Sequence, residues 1–72
     1  MRYKMIGLKI AYYRKMRGYT QRQLAGKIGI STTYLGQIER GNNGKSYSLE
    51  TLLSIAVGLD IDVNLLLSSS EN

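Results

Sequence analysis

Thr20-Gln21-Arg22-Gln23-Leu24-Ala25-Gly26-Lys27-Ile28-Gly29-Ile30-Ser31-Thr32-Thr33-Tyr34-Leu35-Gly36-Gln37-Ile38-Glu39-Arg40-Gly41 is the stretch whose reading decides the fold. Thr20 followed three residues later by Gln23 is a capping box, which predicts a helix starting at Gln21. Leu24, Ala25 and Ile28 give that helix an inner face, and Gly29 ends it. Ser31 then caps a second helix, from Thr32 to about Arg40, with Leu35 and Ile38 three apart on its inner side. Gly41-Asn42-Asn43-Gly44 is a strong turn signal beyond it. A connection as short as Gly29-Ile30-Ser31 forces the two helices to cross steeply. A close crossing needs small residues, and Ala25 and Gly29, four apart, are expected to supply them. Gly29 also suits a positive φ. Ile30 can seal the bottom of the core. The same spacing would serve an ordinary corner in any small helical bundle, so spacing alone does not mark the pair as anything more.

Residue types on the second of these helices add a chemical signal. With Leu35 and Ile38 inward, the opposite face carries Thr32, Thr33, Gly36, Gln37 and Arg40, all small or polar and none acidic. A helix laid in the major groove of DNA needs such a face. Gln pairs with adenine edges, Thr bonds or touches a thymine methyl, and an acid would repel phosphate. Gly36 costs about 1 kcal/mol of helix propensity relative to Ala. Two reasons for it stand open, a close approach by a base or backbone and relief of packing against a neighbouring helix.

Working outward, helical signals continue in both directions. Ile6, Ile10 and Tyr13 recur at i, i+4, i+7 within a segment from about Tyr3 to Met16, and Gly18 follows as a stop. Ser48 caps a fourth helix in which Leu49, Leu52, Ile55, Ala56 and Leu59 hold the 3.6 period. Asp62 is expected to cap a last short helix containing Val63, Leu66 and Leu67. No segment alternates apolar and polar residues for long, so no strand is expected. The expected fold is all-α, one domain over residues 1–67, with a polar tail over 68–72 that frays.

Composition bounds the chemistry. The chain has 72 residues, no Cys and no His. Disulfides, the usual zinc sites and His general-base catalysis are therefore excluded, and no metal, cofactor or enzymatic activity is expected. No apolar run approaches the ~20 residues that span a bilayer, so no membrane association and a cytoplasmic location are expected. Net charge is +5, unevenly spread. Residues 1–45 hold all ten Lys and Arg with the single acid Glu39, a formal +9, whereas residues 46–72 hold four acids and no base, a formal −4. One face is thus suited to a polyanion and another to something else.

These residues together resemble one family. Tyr19-Thr20-Gln21-Arg22-Gln23-Leu24-Ala25-Gly26-Lys27-Ile28-Gly29-Ile30-Ser31 resembles the second helix and turn of Cro/C1-type (XRE-family) helix-turn-helix regulators. Tyr34-Leu35-Gly36-Gln37-Ile38-Glu39-Arg40-Gly41 resembles their recognition helix with its terminal Glu-x-Gly. Ile6-Gly7-Leu8-Lys9-Ile10 and Tyr13-Arg14 match the first helix. Ser48-Leu49-Glu50-Thr51-Leu52-Leu53-Ser54-Ile55-Ala56, with Leu59, Ile61 and Leu66, matches the fourth and fifth. The resemblance runs over about residues 5–67, and it is the ordered set of motifs that makes it specific.

The resemblance implies a five-helix, lambda-repressor-like domain that binds double-stranded DNA and regulates transcription, as a repressor on a palindromic operator. Thr32, Thr33 and Gln37 would read bases, with Gly36 among them. Gln21 would touch a phosphate and brace the recognition helix. Arg22, Tyr34, Arg40, Asn42, Asn43 and Lys45 complete the expected phosphate-contacting set. Arg14 and Glu39 resemble a family ion pair joining the first helix to the end of the third, which makes the lone acid of the basic half structural. Two positions depart from the pattern. The family often has Ser or a larger residue where Gly36 stands, and usually Gly where Asp60 stands; Asp tolerates the left-handed conformation better than most residues.

Regulators of this kind bind two half-sites as dimers. The acidic half is the expected site of a homodimer contact, through Val57, Ile61, Val63, Leu65 and Leu67. A different class of function uses the same fold, a protein-interaction module such as an antitoxin, which implies a protein partner held on the non-basic face. An RNA binder would need a paired aromatic platform that this surface lacks.

Overall fold

Small polar side chains stand at the helix starts where the sequence places them, and they set the element boundaries. The computed structural model describes residues 3–41 and 47–68, in five helices: α1 Tyr3–Met16, α2 Gln21–Ile28, α3 Thr32–Arg40, α4 Leu49–Leu59 and α5 Asn64–Leu67. No strand occurs among the described residues. At α2 both halves of the capping box form. The Gln23 N–H donates to Thr20 Oγ1 at 3.0 Å, and the Thr20 N–H donates to Gln23 Oε1 at 2.8 Å. Ser31 accepts from the Tyr34 N–H at 2.9 Å, and Ser48 from the Thr51 N–H at 3.1 Å.

The turn between α2 and α3 is made by Gly29 in the left-handed region, at φ 80° and ψ 31°. A methyl group added there would meet nothing within 4 Å. The glycine is therefore present for its backbone conformation, and of the two small residues only Ala25 is buried. At the far corner Asp60 takes the same left-handed conformation, φ 58° and ψ 46°, and its N–H reaches the Ala56 and Val57 carbonyls. Arg17 Nη2 donates to the Asp60 carbonyl at 2.9 Å, pinning that corner to the end of α1. The last helix starts one residue later than the sequence suggests. Val63 stands just outside it, while Asp62 Oδ1 accepts from the Asn64 N–H at 2.9 Å.

Ile10, Leu24, Leu35, Ile55, Leu59 and Leu66 are fully buried and come from all five helices. Burial of each such side chain contributes about 1.5–3 kcal/mol. Ile6, Tyr13, Ile28 and Ile30 pack around them half-buried. α1 lies across α3 so closely that a side chain at Gly7 would overlap the Ile38 and Glu39 carbonyls. α2 packs on α3 and α4, and α5 closes against α1, where Lys9 Nζ donates to the Ser68 carbonyl. The periodicity of α4 holds with one exception. Leu49, expected on the inner face, is 62% exposed.

Candidate nucleic-acid interface

α3 is amphipathic in a way that leaves one complete face to solvent. Leu35 and Ile38 enter the core, and Thr32, Thr33 and Arg40 are exposed, with Gln37 half-buried beside them. The only acid on the helix, Glu39, is 8% exposed and turned inward. The outward surface therefore holds hydroxyls, an amide and a guanidinium, and no carboxylate.

Glu39 is held by three groups from two other helices. Arg14 Nε lies 2.7 Å from Glu39 Oε2, and Arg14 Nη2 donates to Oε1 at 3.1 Å, a two-point contact. Gln21 Nε2 donates to the same Oε1 at 2.9 Å. Arg14, itself 7% exposed, spends its remaining nitrogen on the Tyr19 carbonyl at 2.9 Å. One carboxylate thus joins α1, the first residue of α2 and the last turn of α3. Removing either partner of so enclosed a pair would cost about 3–5 kcal/mol, because the other charge would stay buried without a counter-ion.

Gly36 is buried under two side chains. A Cβ built there would lie 3.3 Å from Arg40 Nη1 and 3.7 and 3.8 Å from the Gln21 amide atoms. The missing side chain makes room for these groups, not for a neighbouring helix backbone. Arg40, one turn on along α3, folds back over this gap toward Gln21. The guanidinium and amide therefore both border the gap that Gly36 leaves on α3. Spacing of four along a helix could have shown this; the meeting with Gln21 could not be read from spacing.

Gln21 is half-buried and Arg22 exposed at the start of α2, and Tyr34 is half-buried against the core. Asn42, Asn43 and Lys45 lie outside the described residues. Of the expected dimer residues, Val57, Leu65 and Leu67 are exposed, whereas Ile61 and Val63 are half-buried against the core. Sequence reasoning missed Tyr19, whose carbonyl receives Arg14 and whose hydroxyl and ring hold Lys27 at 2.7 Å and 4.8 Å. No local pattern marks it, since both contacts arise from the fold of the chain. Among the described residues no carboxylates gather closely enough to hold a metal ion, and no helix is long and apolar enough to cross a membrane.

Comparison with known proteins places this arrangement. The helix-turn-helix family profile matches residues 10–66. The HTH-type transcriptional regulator SinR of Bacillus licheniformis is 39% identical over 67 residues, which are 93% of this chain and 60% of that protein. The chain thus spans less than two thirds of that relative's length. The crystal structure of SinR, described as the master regulator for biofilm formation, in complex with DNA matches with a TM-score of 0.80 and 41% identity. That match covers 89% of this chain and 100% of that one. The restriction-modification controller protein C.AhdI from Aeromonas hydrophila matches with a TM-score of 0.83 and 31% identity, over 90% of this chain and 91% of that one.

Proposed function

From the fact that the chain belongs to the Cro/C1-type helix-turn-helix family and has its five-helix, lambda-repressor-like fold, we propose that it is a sequence-specific regulator of transcription. In this reading it represses from a palindromic double-stranded operator, as a homodimer, in the cytoplasm and without catalysis. The observation that carries the reading is the acid-free outer face of α3, backed by the Arg14–Glu39–Gln21 bonds that fix its angle to α1 and α2.

Each part of that face has a separate task. Thr32, Thr33 and Gln37 reach base edges; the Gln37 amide can bond an adenine through both its groups. Gln21 has one N–H on Glu39 and keeps its second for a phosphate oxygen. Arg22 and Arg40 add charge, and Tyr34 adds a hydroxyl near the backbone; Asn42, Asn43 and Lys45 are assigned the same role. These contacts set register without reading sequence. One module makes few base contacts, so two copies joined through the base-free half, residues 46–72, would supply the rest.

Selection from random duplex DNA at two salt concentrations tests the reading. A short palindromic consensus should emerge, with affinity falling steeply as salt rises, by a slope of about −0.9 per phosphate neutralised. Failure of the folded protein to enrich any sequence would refute the specific form of the proposal. Tight capture of a protein partner instead, with no DNA preference, would favour the interaction-module class.

A further inference from the structure

α4 presents a second apolar face, directed away from the core. Leu49, Leu53 and Val57 follow one another at intervals of four and are 62%, 43% and 77% exposed, so they form one stripe. Beside the stripe runs an open groove of about 370 Å³. Its walls are Lys27 and Ile28 from the end of α2, and Glu50, Leu53, Val57 and Gly58 from α4. Gly58 is the point where α2 and α4 touch: a Cβ there would fall on Ile28 and lie 3.1 Å from Leu24 Cδ1. The Lys27–Ile28 wall therefore stands at the C-terminal end of α4. Glu50 stands at the N-terminal end, about 12 Å away by helical rise.

The two charges at the ends differ in sign. Glu50 has no ion-pair or hydrogen-bond partner among the described residues. Lys27 contacts Tyr19 through one donor and keeps two others. A stripe with four-residue spacing, an acid at one end and a base at the other is complementary to itself when reversed. We propose that the occupant of this groove is a second copy of the chain, with the two α4 helices antiparallel about a two-fold axis at Leu53. This rests on the homodimer reading above and moves the centre of contact from α5 to α4. Leu49 meets the partner's Val57, Leu53 meets its own symmetry mate, and Glu50 meets the partner's Lys27, each contact occurring twice. The charge pairs fix the antiparallel register, and the leucines supply the apolar area. The contact uses neither α3 nor Gln21 at the start of α2, so both reading faces stay open.

Sedimentation of the full chain at micromolar concentration tests the proposal, with circular dichroism as the check on folding and half-site DNA binding as the check on the reading face. The wild type should be a dimer. Leu53→Glu, at an exposed position, should be a folded monomer. Glu50→Lys should weaken the dimer by about tenfold or more, and Lys27→Glu combined with Glu50→Lys should restore it. A dimer that survives Leu53→Glu but is lost in Leu65→Glu/Leu67→Glu would overturn the α4 contact and keep the homodimer. A double charge variant no tighter than Glu50→Lys alone would overturn the antiparallel register. A wild type that stays monomeric while binding half-sites would overturn the homodimer reading itself, and this contact with it.

Discussion

Glu39→Gln isolates what the shared carboxylate does. The substitution keeps the shape and removes the charge, so Arg14 remains 7% exposed with no counter-ion. The expected cost is about 3–5 kcal/mol. A chain of 72 residues has a net stability of about 4–11 kcal/mol. The variant would therefore lose about a quarter or more of its stability. At about 4–8 °C per kcal/mol for a domain of this size, its Tm should fall by at least about 12 °C. Urea unfolding followed by circular dichroism measures the loss, provided the slope m is unchanged. The partner substitution Arg14→Met should cost a similar amount. Arg14→Met with Glu39→Leu should cost much less than the two single changes summed, because neither charge is then left unpaired. A cost below about 1 kcal/mol for each single change would place both groups in effective contact with water and refute the argument. Full additivity in the double variant would refute it by a separate route.

Other consequences follow from the same geometry. Gln37→Ala should relax preference at one base position and cost about 1–3 kcal/mol of discrimination in competition binding; equal weakening on every sequence would make Gln37 a backbone contact. Gly36→Ala should raise stability by up to about 1 kcal/mol, since the added methyl crowds only the movable end of Arg40, at 3.3 Å, and meets the Gln21 amide at ordinary contact distance, while DNA affinity should fall if Arg40 must move. Thr20→Ala removes one half of the capping box and should cost about 1 kcal/mol by thermal unfolding. Asp60→Gly should leave stability equal or slightly higher and Asp60→Val should lower it by more than about 1 kcal/mol, because only the β-branched residue is strained at φ 58°.

Much of this molecule was legible because its signals are local. Thr20, Ser31 and Ser48 act on backbone groups within three residues, so their caps could be read directly. The last helix begins at Asn64, one residue later than read, yet the Asp62 carboxylate still accepts the Asn64 N–H at its start, as a cap does. Gly29 was given two reasons where one operates, since sequence shows that a residue is small but not what lies beside it. Leu49 misled for a related reason. Periodicity locates the middle of an apolar face, but its edge depends on where neighbouring helices stop. Ile61 and Val63 show the opposite case, apolar residues assigned to an interface that the core largely absorbs. The gathering of Arg40 and Gln21 over Gly36 joins two helices and could be seen only once they were folded together.

The side-chain bonds that tie α3 to α1 and α2 run through Glu39, and Leu35 and Ile38 anchor it in the core. Thr32 and Thr33 carry none of that structural burden, and changes at such surface positions usually alter stability by less than about 0.5 kcal/mol. On the proposed function, operator preference and fold are therefore written in different residues. On that reading, a lineage carrying this chain could change which sequence it recognises one exposed side chain at a time, with the scaffold intact at every step.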